Sequence, residues 1–214
     1  MKLVHTLILA AGLGLAALPV SAQLVAAPGT NPLGTDAPAG TYGIDPTHAS
    51  VTFKVSHLGL SYYTARFTKI DASLKFDPAN PEGSKLTVSI DPVSIRTDYP
   101  FPDKENFDKV LAESEKWFNA GKFKAITFTS SAIKMTGDKT ADVTGNLTLL
   151  GVTKPVTLKV RFNGGMASHP MAKKPATGFS ATATVKRSEF GMTNAVPFIG
   201  DDVAVLIETE FFGG

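Results

Sequence analysis

Few residues in this chain combine the chemistry and the spacing that catalysis or metal binding requires. Only His48, His57 and His169 lie beyond the first 22 residues, and none belongs to a His-Glu-x-x-His zinc motif. Neither a Gly-x-Ser-x-Gly nucleophile elbow nor a glycine-rich phosphate loop occurs. The absence of cysteine excludes disulfides, thiolate metal ligands and thiol nucleophiles. We therefore expect a protein that is not an enzyme and that holds no metal and no catalytic cofactor.

Two alternatives remain for the polar side chains. His48 and His57 bracket a predicted strand and would form a metal-binding pair if the chain folded back, although a hydrogen-bonded structural histidine is the commoner case. Asp45, Asp71 and Asp91 fall at predicted strand ends, where a general acid–base pair is not expected.

The first 22 residues are typical of an export signal. Lys2 provides a positive start, residues 7–18 form an apolar run, and small residues end the segment at Ala22. As a helix this run spans about 18 Å, which is too short for a bilayer core of about 30 Å. We predict cleavage after Ala22 and release into the periplasm without stable membrane insertion, because no cysteine is available for a lipid anchor. An uncleaved membrane anchor is the less favoured alternative.

The rest of the chain is interpreted as a flexible leader over 23–40, rich in Pro, Ala and Gly, and a single domain over 41–212. Hydrophobic residues make up 43% and charged residues 19%, as in globular proteins. The formal net charge is +2, with acidic and basic residues interleaved, so neither nucleic acid nor an anionic membrane surface is an expected partner. The oligomeric state stays open, with a homodimer among the alternatives.

Most of the domain alternates between apolar and polar residues, the period of half-buried strands. Such runs occupy 51–56, 70–76, 86–90, 143–149, 156–162, 179–185 and 203–209. Turn signals at 77–78, 81–83, 136–138 and 163–165 separate them. The outward positions are Thr, Ser, Lys and Arg, which argues against a barrel in an outer membrane.

One segment has the period of a helix instead. An apolar stripe runs through Phe107, Val110, Leu111, Ser114, Trp117 and Phe118. With Asp103 as a candidate N-cap and Gly121 beyond the end, the pattern predicts an amphipathic helix near 103–119.

The strands must hide their apolar faces together, in a sandwich or in a closed barrel. We predict an all-β fold with one amphipathic α-helix, and its closed form would be an antiparallel β-barrel of about eight strands. A barrel of this size holds either packed side chains or one small ligand, and composition does not separate these alternatives. The apolar loop 191–200 either caps a pocket mouth or packs into the core.

Four stretches resemble the YceI family: YGIDPTHASVTFKVSHLG (42–59), WFNAGKF (117–123), GNLTLLGVTKPVTL (145–158), and KRSEFGM (186–192) followed by IGDDV (199–203). They run in order across the domain. The resemblance implies a lipocalin-like barrel, often periplasmic, with an internal tunnel for polyisoprenoid chains or other long amphiphiles. It favours a tunnel over a packed core.

We therefore predict an exported, soluble carrier of a long-chain isoprenoid (a polyisoprenoid or isoprenoid quinone) or a similar amphiphilic lipid. The predicted tunnel wall consists of Phe53, Val55, Phe67, Leu74, Phe76, Leu86, Val88, Phe128, Leu147, Leu149, Phe179, Val205 and Ile207. The helix side contributes Phe107, Leu111, Trp117 and Phe118, and headgroup contacts are predicted for His57, Tyr62, Tyr63 and Arg187. The alternatives are a lipid-modifying enzyme in the same barrel, and a stress-response module that binds a protein partner and has no lipid cavity.

Overall fold

The computed structural model describes residues 31–214. The predicted export signal and residues 23–30 of the predicted leader lie outside the described residues. The described strands are β1 (Gly40–His57), β2 (Ser61–Phe67), β3 (Ile70–Phe76), β4 (Lys85–Ile90), β5 (Ile95–Arg96), β6 (Ile126–Gly137), β7 (Thr140–Leu149), β8 (Val152–Met166), β9 (Ala176–Lys186) and β10 (Ile199–Gly213).

Eight of these strands form a closed antiparallel ring, which confirms the predicted barrel. Their order is β10, β9, β8, β7, β6, β4, β3 and β1, and pairing between β1 and β10 closes the ring. Closure pairs every strand of the ring on both sides, so none of them is left as a free edge.

The first strand is long and has two successive neighbours on one side. Residues Gly40 to Gly43 pair with β3, whereas Val51 to His57 pair with β2. The short β5 pairs in turn with β2 at Phe67 and Ile95. Between β5 and β6 the chain leaves the sheet and packs a helical segment against this side of the barrel.

That helix, α1 (Phe107–Glu113), is shorter than the predicted 103–119. Its N-cap is Asn106, whose side chain accepts a hydrogen bond from the Lys109 amide at 3.0 Å, so the prediction of Asp103 was wrong. It ends because Ser114 takes an extended conformation. The amides of Phe118 and Ala120 then bond back to the last turn, which keeps the aromatic stripe on one side without a helix.

Within residues 31–214, no helix is both long enough and apolar enough to cross a bilayer.

The turn predicted at 163–165 is wrong, since these residues lie inside β8. The ladder between β8 and β9 instead shifts register between Phe162 and Gly164, as at a bulge. A Cβ on Gly165 would lie 2.6 Å from Thr35 Oγ1 and 2.9 Å from Ala37 Cβ. The glycine is needed because another segment packs directly against the strand here.

This segment is the end of the predicted leader. Leu33 and Ala37 are buried in a cluster with Tyr42, Phe76 and Phe162. Residues 31–39 are therefore part of the folded domain, and the prediction of a flexible leader does not hold for them.

The start of β1 carries a second irregularity, at Asp45. Pairing with β10 is interrupted between Ile44 and Ala49, where Pro46 has no N–H to donate. The buried Asp45 carboxylate accepts hydrogen bonds from the Thr47 amide at 2.9 Å and hydroxyl at 2.7 Å, and contacts His48 Nδ1 at 2.7 Å. The hydrogen bond with His48 lowers the pKa of Asp45, and the same bond raises the pKa of His48.

We expect the Asp45–His48 pair to make stability depend on pH. Because folding raises the His48 pKa above 6.5, the contribution of that group is fully present below about pH 6.5 and is lost as the pH rises through the folded value. Because folding lowers the Asp45 pKa below 3.8, its contribution is lost as the pH falls through that lower value. Thermal melts from pH 3 to pH 9, approximately, of wild type and His48→Gln would therefore differ most at mildly acidic pH. The difference should be smaller in an Asp45→Asn background, where the charge of Glu210 still raises the pKa of His48; an undiminished difference there would contradict the pairing.

Candidate ligand-binding tunnel

The barrel encloses a cavity of about 450 Å³ with an almost wholly apolar lining. Residues from every strand of the ring contribute to it, together with α1 and the chain that follows it. The volume lies within the range of about 300–1,000 Å³ that is usual for small-molecule sites. The inward side chains of the barrel therefore surround a hollow.

All the predicted wall and helix-side residues line this cavity. They are Phe53, Val55, Phe67, Leu74, Phe76, Leu86, Val88, Phe128, Leu147, Leu149, Phe179, Val205 and Ile207 on the strands, and Phe107, Leu111, Trp117 and Phe118 on the helical segment. His57, Tyr63 and Arg187 also line it. Contact of these residues with a ligand stays a prediction.

Tyr62 does not line the cavity, and its predicted contact with a headgroup stays a prediction. Its side chain is 70% exposed. Tyr62 and Tyr63 are consecutive in β2, so their side chains point to opposite faces of the sheet. Only Tyr63 faces inward.

The sequence patterns did not predict several of the residues that line the cavity. A register shift in β6 between Ser130 and Ala132 moves the inward positions to Ile133 and Met135. Leu33 belongs to a segment with no apolar period, and Met192 belongs to a loop. The only sequence feature that could have indicated burial of Leu33 was its apolar side chain within a Pro- and Gly-rich stretch.

Phe128 reaches the cavity because its neighbour on β7 is a glycine. A Cβ on Gly145 would lie 2.4 Å from Phe128 Cζ and 2.5 Å from the Thr129 carbonyl oxygen. Any larger residue at position 145 would displace this ring. The first residue of the GNLTLLG stretch is therefore fixed by packing.

The cavity has different surroundings at its two ends. At the end where β1 finishes, which we call the His57 end, Phe53, Phe67 and Phe118 form an aromatic cluster with ring centroids 5.3–6.3 Å apart. At the opposite end, the Leu33 end, the rings of Phe76, Phe162 and Phe179 lie 5.5–6.1 Å apart.

A buried arginine lies at the His57 end. Arg187 is 3% exposed, and its guanidinium donates to three backbone carbonyls. Nε bonds to Gly200 at 2.8 Å, Nη1 to Met192 at 2.9 Å and Nη2 to Ile199 at 2.8 Å. Its central carbon lies 5.8 Å from the Trp117 ring centre. Arg187 thus ties the loop 191–200 to the start of β10.

The charge of Arg187 is only partly balanced. Among residues 31–214, its guanidinium forms no ion pair. Burial lowers the pKa of Arg187, while the Asp201 carboxylate acts on it in the opposite direction. A guanidinium stays protonated at neutral pH nonetheless. It therefore provides a positive potential at one end of an apolar cavity, where an anionic or hydrogen-bond-accepting group would be stabilised.

Tyr63 supplies a second polar group at the same end. Its hydroxyl is buried and, in the part of the chain that the structure describes, has no hydrogen-bond partner. The nearby Thr97 hydroxyl donates instead to Asp108 at 2.6 Å. Burial raises the pKa of the Tyr63 phenol, so it is a neutral donor. A buried hydroxyl without a partner costs about 1–3 kcal/mol.

The surface around the His57 end is apolar. Leu58, Leu60, Val196 and Phe198 are exposed, and the Leu58 amide donates to the Phe198 carbonyl at 2.7 Å. Neither 58–62 nor 191–200 contains a charged residue. The loop 191–200 combines the two predicted alternatives, because Met192 packs into the cavity wall whereas Phe198 stays at the surface.

The histidine pair does not form. His48 and His57 lie in one strand, nine residues apart, which corresponds to roughly 30 Å. His48 instead forms a group with Asp45 and Glu210 whose potential ligand atoms lie within 4.8 Å of one another. Since Asp45 is already hydrogen-bonded by Thr47 and His48, this group has a structural role in the bulge of β1.

Sequence comparisons with known proteins agree with the family resemblance of the four sequence stretches. Residues 42–211 match the family described as "YceI-like domain". A UPF0312 protein of Ectopseudomonas mendocina is 37% identical over 180 residues, covering 83% of this chain and 90% of that protein.

Two solved structures share the fold. The YceI protein of Campylobacter jejuni has a TM-score of 0.64 and 29% identity, covering 75% of this chain and 91% of that one. A domain from Saccharophagus degradans, described as polyisoprenoid binding and implicated in plant cell wall breakdown, has a TM-score of 0.58 and 14% identity. It covers 81% of this chain and 98% of its own, and at this identity the likeness shows the fold alone.

We expect Arg187→Lys to lower the free energy of unfolding by about 2–4 kcal/mol, because one ammonium group does not replace the planar donors and leaves carbonyls unpaired. Denaturant unfolding followed by Trp117 fluorescence would measure the loss. The matched control is Arg161→Lys, on the exposed face of β8, with an expected change within about 0.5 kcal/mol. Equal losses in both variants would contradict the structural role of Arg187.

Proposed function

Because this chain belongs to the YceI family, we propose that its barrel binds one long-chain isoprenoid, or a similar amphiphilic lipid, and carries it through an aqueous compartment. The observation that carries the proposal is the apolar cavity of about 450 Å³ inside the closed ring. The polyisoprenoid-binding description of the Saccharophagus degradans domain, which has the same fold, supports the class of ligand.

The driving force is removal of the lipid chain from water. Each buried methylene contributes about 0.8 kcal/mol, and the tunnel offers this gain without specific hydrogen bonds along the chain. A cavity of 150 Å³ holds one benzene ring, so the volume here corresponds to roughly 15–20 carbon atoms. Three or four isoprene units would fit inside, and a longer chain would extend beyond the cavity.

The polar groups set the direction in which the lipid lies. The positive charge of Arg187 and the buried phenol of Tyr63 lie at the His57 end, where His57 itself is exposed. We propose that the oxygen-bearing headgroup, such as a phosphate, hydroxyl or quinone carbonyl, lies at this end and the tail extends toward Leu33. The opposite direction would place hydrocarbon against the buried charge of Arg187.

Carriage without chemistry is the role that these groups support best. The guanidinium donors of Arg187 are used to hold backbone carbonyls, and Tyr63 is a neutral phenol, so neither group is placed to act as a general acid or base. The apolar, uncharged loops around the His57 end would let a lipid pass between a bilayer and the tunnel with little exposure to water. A lipid-modifying enzyme remains the alternative, and turnover of a bound isoprenoid would establish it.

The alternative of a stress-response module that binds a protein partner and has no lipid cavity is disfavoured by the apolar cavity inside the barrel. Native mass spectrometry and lipid extraction of protein purified from its own cells would identify the ligand directly. Repeated preparations with no long-chain molecule would contradict the proposal.

Ala183→Phe tests whether the tunnel is the binding site. Ala183 lines the cavity on β9, and a ring at this position would occupy space for several methylenes. Losing two buried methylenes alone weakens binding by about tenfold. We therefore expect at least this loss of affinity for a geranylgeranyl alcohol, measured by displacement of a fluorescent lipid analogue. The matched control, Thr184→Phe, places the same ring on the exposed face one residue away and should bind as wild type does. Equal affinity of the two variants would place the ligand outside the tunnel.

Export is proposed on the sequence signal alone. We expect the protein recovered from a periplasmic fraction to begin at Gln23, as N-terminal sequencing or intact mass would determine. Replacing Leu9 with Arg in the apolar run should retain the full-length chain in the cytoplasm. Recovery of uncleaved chain from the membrane fraction would favour an anchor instead.

A further inference from the structure

The segment 31–38 packs into the barrel at the Leu33 end. The Leu33 amide donates to Asn31 Oδ1 at 3.2 Å, and the Ala37 amide donates to Thr35 Oγ1 at 3.2 Å. Asn31 in turn donates from its side chain to the Thr35 carbonyl. These bonds fold the segment into a compact turn that presents Leu33.

Two contacts hold this turn on the barrel. The Tyr42 hydroxyl donates to the Pro38 carbonyl at 2.7 Å. Gly165 leaves space for Thr35 and Ala37, where any Cβ would come within 3 Å of both side chains. The segment is therefore docked by contacts that are separate from the cavity itself.

Leu33 belongs to both the core and the cavity. It is 3% exposed and packs with Phe76 and Phe162, yet it also lines the tunnel. The rest of the wall comes from the ring strands, β2, the α1 segment and the connections between strands, so Leu33 is the one described lining residue that comes from before β1. The same end is lined by Lys139, in the turn between β6 and β7, and by Thr140, the first residue of β7, and both are exposed. Leu33 thus covers a part of this end that the strands leave open.

We propose that segment 31–38 is a chain stop, with Leu33 as the residue that limits how long an apolar chain the tunnel accepts. The inference rests on the proposed function and adds a length limit to it. A tail that enters from the His57 end meets Leu33, Phe76 and Phe162 at the far end. Every methylene up to that point gains burial, and methylenes beyond it gain none.

A purely structural role for Leu33 makes a different prediction. If the side chain only fills the core, its substitution lowers stability and weakens every ligand alike. If it is the stop, substitution moves the chain length at which affinity ceases to rise. The two roles are therefore separated by a length series and not by a single affinity.

The experiment measures binding of straight-chain primary alcohols in two-carbon steps, from roughly 10 to 24 carbons, by displacement of a fluorescent probe. The affinity of wild type should rise with each step until the chain reaches Leu33 and should then level off. We call the chain length at which it levels off the break. Leu33→Ala removes three side-chain carbons and should move this break to longer chains by about one step, with about a tenfold gain for the alcohol just beyond the wild-type break. Leu33→Phe should move the break to shorter chains.

Met171→Ala is the control, since Met171 is 85% exposed in the turn between β8 and β9 at the same end. Its break should coincide with that of wild type, and thermal melts verify that all variants are folded. An unchanged break in both Leu33 variants overturns the proposal.

A measurement that needs no lipid distinguishes failure of the chain stop from failure of the proposed function. If no alcohol binds even to wild type, lipid binding fails, and the stop is then judged from crystals of Leu33→Ala under xenon. Xenon beside Phe76 and Phe162, continuous with the tunnel and missing from wild type, would support a stop at this position. A collapsed or isolated space there would overturn it.

Discussion

Closure of the sheet by the pairing of β1 with β10 is the constraint on which the rest of the molecule depends. An eight-stranded ring has a fixed circumference, and its inward side chains meet only if they are large enough to reach the axis. Here Phe, Leu, Val and Ala face one another across about 450 Å³ of space. Backbone pairing around the whole ring maintains this hollow, because the ladder fixes the positions from which the side chains project.

Segments that do not belong to the ring of eight strands pack at the two ends of the barrel. Near the His57 end, the segment with α1 packs Leu111 and Ala112 against Ala65 and Ile95, and its aromatic residues reach the cavity. At the Leu33 end, a short turn before β1 does the same with a single leucine. The turn before β1 is held by the hydrogen bond from the Tyr42 hydroxyl to the Pro38 carbonyl, and the α1 segment is held by the Asp108 carboxylate, which accepts from the Thr97 amide and hydroxyl.

Polarity is concentrated where the chain leaves the ring between β9 and β10. Arg187 joins the loop 191–200 to β10 through three carbonyls, and this arrangement leaves its charge beside the cavity. Tyr63 adds a hydroxyl without a partner among the described residues. The same arginine therefore accounts for the order of a loop and for the electrostatic asymmetry of the tunnel, which an apolar wall alone would lack.

Period-two alternation in the sequence located seven of the ten described strands and their inward faces, because it reports burial directly. The alternation left a sandwich and a barrel open, and the resemblance to the YceI family favoured the barrel. The prediction placed Tyr62 and Tyr63 together, although consecutive strand residues face opposite ways, and it extended α1 too far, because Trp117 and Phe118 continue an apolar stripe through a turn. That the ring is hollow followed from the three-dimensional structure, since a wall and a core use the same residue types. Only the tertiary structure placed Leu33 in the barrel and moved the inward face of β6 to Ile133, because bulges and docked turns depend on contacts between distant parts of the chain and leave no local period.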